Sequence, residues 1–182
     1  MATPAYPLLR LLRGLCARQV LAGLVLFFCL FVWTRGDEPL PNVAVSLGLK
    51  ILSLQKQFAD KPDGISIYVL GDPNVAKAFS TYEGRYVGSL RLAKVISGDD
   101  LPAEKPDVLF VGDKNKVADA VRYTRANKVL SMARNERYIE QGVTLTIYIA
   151  RGQTQISMNR TGAVLEGVDI NPATLKVARV TR

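Results

Sequence analysis

The chain has 182 residues, a net charge of +8, no histidine and two cysteines, Cys16 and Cys29. The missing histidine excludes nucleophile–His dyads, His metal sites and imidazole acid–base chemistry. Both cysteines fall in the first 35 residues, so the remainder of the chain is not a disulfide scaffold, a thiol oxidoreductase or a Cys-ligated metal protein. The charge is uneven: +4 over residues 1–35, −3 over 36–113 and +7 over 114–182. A basic second half can face an acidic partner or anionic lipid, or simply keep the surface solvated.

Arg10, Arg13 and Arg18 lead into an apolar run, Val20 to Trp33, and no acidic residue precedes Asp37. A basic stretch ahead of a short apolar core is the pattern of an export signal. Positive charge stays on the cytoplasmic side, so the rest of the chain is expected in the periplasm. The run holds 14 residues, fewer than the roughly 18 of a spanning helix, which favours cleavage. Phe31, Val32 and Trp33 crowd the cleavage site, which leaves a tether through residues 20–33 as the alternative. Residues 1–36 are thus read as signal or anchor, 37–42 as a linker around Pro39-Leu40-Pro41-Asn42, and 43–182 as one domain. An exported domain meets no nucleic acid.

Val45 to Phe58 has Leu47, Ile51, Leu54 and Phe58 at helical spacing. Ile65–Gly71 and Asp107–Gly112 are short apolar runs ending in glycine, the mark of strands buried on both faces in a parallel sheet. A helical pattern follows each. After the second, Val117, Val121 and Thr124 share one face, and Lys114, Ala118, Arg122 and Arg125 another. Val129–Ala133 reads as a further strand. Val143, Leu145, Ile147 and Ile149 alternate with Thr144, Thr146 and Tyr148, which predicts one buried and one wetter face. Arg151-Gly152-Gln153 turns that strand into Thr154–Met158, a β-hairpin. Helical patterns at Thr161–Glu166 and Pro172–Arg179 close the domain, the second with Asn171 as N-cap and Pro172 at the first position. The fold class is α/β: a mixed sheet with a parallel core, a C-terminal antiparallel hairpin and flanking helices. Tyr68, Phe79, Tyr82, Tyr86, Phe110 and Tyr148 read as core or half-buried sheet residues.

One internal echo bears on chemistry. Gly71-Asp72-Pro73-Asn74 and Gly112-Asp113-Lys114-Asn115 both place Gly-Asp-x-Asn between a strand end and a helix. Ligands of open α/β sheets bind outside the carboxyl ends of strands. Asp72, Asn74, Asp113 and Asn115 are therefore candidates for a ligand crevice, and equally for helix caps. No phosphate-binding glycine loop follows either strand. Asn159-Arg160-Thr161 fits a glycosylation acceptor, a motif short enough to arise by chance. Lys114, Arg122, Arg125 and Lys128, along the helix after the second strand, are candidates for contact with an acidic partner. No catalytic residue, metal ligand or cofactor is expected.

The segments Val129-Leu130-Ser131, Tyr138 to Val143, Ile156-Ser157-Met158-Asn159, and Leu175 with Ala178-Arg179 resemble the YfiR family of periplasmic proteins. The Ile65–Gly71 strand, the Gly84-Arg85-Tyr86-Val87-Gly88 segment and Leu109-Phe110-Val111 fall where that family has its earlier motif segments, so the resemblance spans roughly 44–180. Departures exist. The aromatic–proline pair is spread over Phe58 to Pro62, the double glycine is Gln141-Gly142, and the serine pair before the last helix is Asn171-Pro172. Cysteines found in the folded domain of some members are absent, so their redox control does not transfer. The resemblance implies regulation without catalysis: repression of an inner-membrane diguanylate cyclase through its extracytoplasmic sensor domain, lowering cyclic di-GMP and biofilm formation. Homodimerisation is left open. The competing expectation is a periplasmic domain that binds a small ligand at its strand ends.

Overall fold

A computed structural model describes residues 39–181, so the leader expected at 1–36 lies outside the described residues. The described chain begins with helix α1 (Pro41–Ser53) and the single turn α2 (Lys56–Ala59). Pro41 stands at the start of α1, where a missing N–H costs no helical hydrogen bond. The stretch expected as a linker therefore ends inside the first turn of a helix. The expected stripe also differs: α1 buries Ala44, Val45, Gly48, Leu49, Ile51 and Leu52, while Leu54 is exposed. The cause is a break in the helix. Gln55 is extended, and its side-chain amide donates to the Thr174 hydroxyl at 2.6 Å, so Phe58 belongs to a second helix.

The rest runs β1 (Ile65–Leu70), α3 (Pro73–Ser80), β2 (Tyr86–Val87), β3 (Leu90–Gly98), β4 (Val108–Val111) and a 3-10 turn (Lys114–Lys116) leading into α4 (Val117–Asn127). Then come β5 (Leu130–Ala133), α5 (Arg137–Glu140), β6 (Leu145–Ala150), β7 (Gln153–Asn159), α6 (Arg160–Leu165), α7 (Pro172–Leu175) and β8 (Arg179–Thr181). The strands form one mixed sheet in the order β2-β3-β1-β4-β5-β6-β7-β8. From β3 to β6 all neighbours are parallel, and β6–β7 is antiparallel.

Successive strand residues point to opposite faces, and both faces are covered. Ile67 and Val69 pack with Val45, Leu49, Val75 and Phe79 from α1 and α3. Tyr68 and Leu70 pack with Val117, Val121 and Tyr138 from α4 and α5. This two-sided cover explains why β4, and β1 apart from Ser66, read as apolar runs. Tyr86 is the exception among the aromatics expected inside; on the two-residue edge strand β2 it is largely exposed.

The hairpin register sets Leu145 beside Met158 and Ile147 beside Ile156. Arg151 and Gly152 close it with positive φ values of 53° and 73°, the two-residue turn whose twist matches paired strands. The wetter face is absent: Thr144, Thr146 and Tyr148 are buried as fully as Leu145 and Ile147. β6 is an inner strand, and α5 packs across β6 and β7 on that side. The C-terminus also differs from the helix expected over 172–179. α7 stops at Leu175, and the chain straightens into β8, parallel to β7 with Val180 beside Met158. The Asn171 cap is present: its side chain accepts the Ala173 N–H at 2.9 Å.

Candidate functional site

The chain leaves β1 for β3 on one side and leaves β4 for β5 on the other, so its connections diverge between β1 and β4. α3 and α4 pack on opposite faces at that point. Such a divergence is where open α/β sheets form a ligand crevice. Both Gly-Asp turns lie there, and each aspartate caps the helical turn after it. Asp72 Oδ1 accepts the Val75 N–H at 3.1 Å, and Asp113 Oδ1 accepts the Asn115 N–H at 2.8 Å.

The crevice is filled by the chain's own atoms. A Cβ on Gly71 would stand 2.6 Å from the Asp113 Cβ, and one on Gly112 would stand 2.4 Å from the Asp72 Cβ. The two turns press together glycine against aspartate, and Gly71 also holds a φ of 70°, which glycine adopts without strain. This reciprocal contact gives the repeated Gly-Asp a structural reason. Arg134, just after β5, then covers the join. Its Nε and Nη2 both lie 3.1 Å from Asp72 Oδ2, and its Nη1 donates to the Pro39 carbonyl at 3.2 Å. Asp72 is buried, Asp113 is half-buried, and Asn74 and Asn115 are exposed on separate helix starts. The four crevice candidates therefore do not converge on a shared space. A shallow depression of about 460 Å³ lies against Asp113, Lys114, Asn135, Arg137 and Tyr138.

The four basic candidates are spread over α4 in different roles. Lys114 and Arg122 are exposed, and Arg122 pairs with Asp119 one turn earlier. Arg125, a candidate for partner contact, is half-buried against Gly142, and its Nε is buried without a hydrogen-bond partner. Lys128 ends the helix in the left-handed conformation and donates from Nζ to the Leu165 carbonyl at 2.8 Å. The residues form no single charged face.

Sequence reasoning missed a second buried carboxylate, Glu166, at the opposite end of the sheet. It is 1% exposed and caps the C-terminus of α6. Its Oε1 accepts the Thr124 hydroxyl and the Ser131 hydroxyl, both at 2.6 Å, and its Oε2 accepts the Ser131 N–H at 2.9 Å. The Ser131 hydroxyl also accepts the Thr144 N–H at 2.8 Å. One carboxylate thus ties α4, β5, the entry to β6, and α6. Burial pushes its pKa above the ordinary glutamate value, and the hydrogen bonds from Ser131 and Thr124 pull the other way. The one signal in the sequence is an acid at a helix C-terminus, where the helix dipole disfavours it. Asn159, the glycosylation candidate, is buried and caps α6, accepting the Gly162 N–H at 2.8 Å.

A family model described as YfiR/HmsC-like matches residues 52–179, from the end of α1 into β8. The chain belongs to the YfiR/HmsC-like family. The fold also matches the crystal structure of a conserved domain protein from Vibrio cholerae O1 biovar El Tor, with a TM-score of 0.53 at 17% identity, over 76% of this chain. The match spans 60% of that protein's length. No curated protein sequence matches the chain. No helix among the described residues is long and apolar enough to cross a membrane.

Proposed function

We propose that this chain is a non-enzymatic periplasmic repressor that binds the extracytoplasmic sensor domain of an inner-membrane diguanylate cyclase, lowering cyclic di-GMP and biofilm formation. The observation that carries the reading is the family match over residues 52–179. Two features of the chain support it. The folded part contains neither histidine nor cysteine, and the place where an open α/β sheet would seat a substrate is packed with the chain's own Gly-Asp turns and Arg134. The basic leader ahead of Val20–Trp33 supplies the export route. Repression then works by differential affinity: the chain binds the inactive conformation of the sensor better than the active one and shifts the population toward it.

Deleting the gene tests this. Cyclic di-GMP should rise, and the intact chain supplied in trans should restore it, whereas a version without residues 1–36 should not. Unchanged cyclic di-GMP in the deletion strain would sink the repressor reading. The competing reading, a small-ligand-binding domain, draws on the depression beside Asp113 and Arg137. A small molecule retained in native mass spectra of the purified chain would favour it.

A further inference from the structure

A cavity of about 200 Å³ lies between α5 and the strands β6, β7 and β8. Its floor is a row of neutral polar side chains. Thr146 stands beside Ser157 in the hairpin register, and Tyr148 follows two residues on, on the same face of the sheet. Tyr148 and Ser157 are buried and line the cavity with Asn159. The Tyr148 and Ser157 hydroxyls share one hydrogen bond at 3.1 Å and have no other partner among the described residues. Two hydroxyls carry two protons, and that bond uses one. Thr146, next in the row and fully buried, has no partner for its hydroxyl at all. Asn159 accepts the Gly162 N–H with its side-chain oxygen, and its NH₂ reaches only the Ile139 carbonyl, at 3.4 Å. Buried donors are rarely left unpaired, so this floor calls for acceptors that the chain does not supply. At the mouth stand Glu136 and Glu140, at the two ends of α5, and Arg179 of β8. All three are exposed and form no ion pair among the described residues.

We propose that this cavity binds a neutral, hydroxyl-rich ligand of the size of one sugar ring. The inference goes beyond the repressor reading and does not depend on it. Charge and hydrogen-bonding sense select the class. The floor carries no charge, and an ionised group brought down to it would lose its hydration without meeting a counter-charge. An apolar molecule would leave the spare hydroxyl protons unpaired. A hydroxyl both donates and accepts, so it takes the spare proton of the Tyr148–Ser157 pair and gives its own to the remaining lone pairs. At the mouth, Glu136 and Glu140 accept from further hydroxyls and Arg179 donates to them, so charged groups of both signs serve one uncharged ligand. The Tyr148 ring and the Ile139 side chain offer apolar surface to the C–H face of a sugar. Water alone would fill the space with about six molecules, at ~30 Å³ each. A ligand that reproduces their hydrogen bonds displaces them without losing affinity.

The test uses the full chain, purified after export from its own host, and titration calorimetry with D-glucose, D-galactose, D-mannose, N-acetyl-D-glucosamine and the disaccharide cellobiose. At least one should bind with a Kd of roughly 1 mM or tighter. Tyr148→Phe removes a floor hydroxyl and keeps the ring. Glu136→Ala combined with Glu140→Ala clears the mouth at exposed positions. Each variant should weaken binding at least tenfold and leave the thermal midpoint within a few degrees, while Asn74→Ala and Lys114→Ala, at the strand-end turns, should leave binding unchanged. A monosaccharide bound more tightly than cellobiose assigns the cavity to a free sugar; the reverse order assigns it to the end unit of a polysaccharide. No binding of any of these sugars would overturn the proposal and leave the cavity to water. Binding that survives both the Tyr148 and the double glutamate variants would place it elsewhere and overturn the proposal too. Tighter binding of acetate or ethylammonium than of every sugar would overturn the neutral class. Cyclic di-GMP is measured in the deletion strain alongside. A rise on deletion without sugar binding removes the sugar site and keeps the repressor; sugar binding with cyclic di-GMP unchanged by deletion does the opposite.

Discussion

The sheet buries a carboxylate at each end, and the two are held in opposite ways. At the carboxyl ends of β1 and β4, Asp72 is met by the guanidinium of Arg134 and by one backbone N–H. At the amino end of β5, Glu166 is met by two hydroxyls and one N–H, all neutral. A cation cancels charge at a distance, while neutral dipoles solvate it only through close hydrogen bonds. Loss of the charge therefore matters differently at the two ends. Replacing Asp72 by a neutral residue would leave Arg134 without its counter-charge. At Glu166 a proton removes the burial cost and leaves most of the hydrogen bonds in place. The first arrangement pins the start of α3 to the segment after β5 and to Pro39; the second makes the join of α4, β5 and α6 responsive to pH.

The largest effect should come from emptying the neutral site. Glu166→Ala strands the Ser131 N–H and two hydroxyls and leaves a cavity at a fully buried position. We expect a loss of about 3–4 kcal/mol in urea unfolding. A loss below about 1 kcal/mol would mean that water or rotated hydroxyls replace the carboxylate, and the contrast between the two ends would collapse.

Next comes the charged site. Arg134→Met keeps the aliphatic stem and leaves Asp72 without its cation. Because Arg134 keeps 22% side-chain exposure, the expected cost is about 2–3 kcal/mol, below that of a fully buried pair. Asp72→Asn keeps the helix cap and removes the counter-charge, and should cost about 2 kcal/mol. The two substitutions should be non-additive by about 1 kcal/mol or more, since each removes the same pair. Additive effects would show that the ion pair contributes nothing beyond packing.

How far these sites could be read in advance depends on the distance over which each is built. Ile65–Leu70 and Val108–Val111 were legible because strands covered on both faces are apolar throughout. The Gly-Asp echo was legible because a turn and its cap are local. Arg134 was not, since its partner lies 62 residues away and no spacing rule links them. Glu166 draws its donors from 42 and 35 residues away. β3 was missed because the alternation begun by Leu90-Arg91-Leu92 breaks at Ala93-Lys94, and Val95 and Ile96 then stand side by side, so neither strand pattern is sustained. The wet face expected of Tyr148 failed for a tertiary reason, the cover supplied by α5. At the C-terminus, a well-formed cap at Asn171 marks where α7 begins and carries no information on where it ends.

A smaller effect arises from the raised pKa of Glu166. A carboxyl whose pKa is higher in the fold than in the unfolded chain contributes stability below the unfolded value, near 4.3, and loses it as pH rises through the folded value. Wild-type thermal midpoints, compared with those of Glu166→Gln, should therefore fall relative to the variant as pH rises from about 4 to about 8. The glutamine itself costs stability at every pH, because its NH₂ would face one of the three donors, so the slope of the difference is the readout. Parallel curves would show that Glu166 binds its proton alike in the folded and unfolded chain.

The smallest effect tests the echo directly. Asp113 stands in the same Gly-Asp-x-Asn context as Asp72, but the only hydrogen bond it receives in its capping role is from Asn115, and it forms no ion pair among the described residues. Asparagine caps nearly as well as aspartate, so Asp113→Asn should change stability by less than about 1 kcal/mol. The identical substitution at Asp72 is expected to cost at least about 1 kcal/mol more, because only there does it remove a counter-charge. Measured side by side in urea, the gap between the two isolates the contribution of Arg134 from that of the cap. Equal costs would mean that the guanidinium at 3.1 Å is solvated well enough to add nothing, and that the carboxyl end of the sheet is held by its caps and glycine contacts alone.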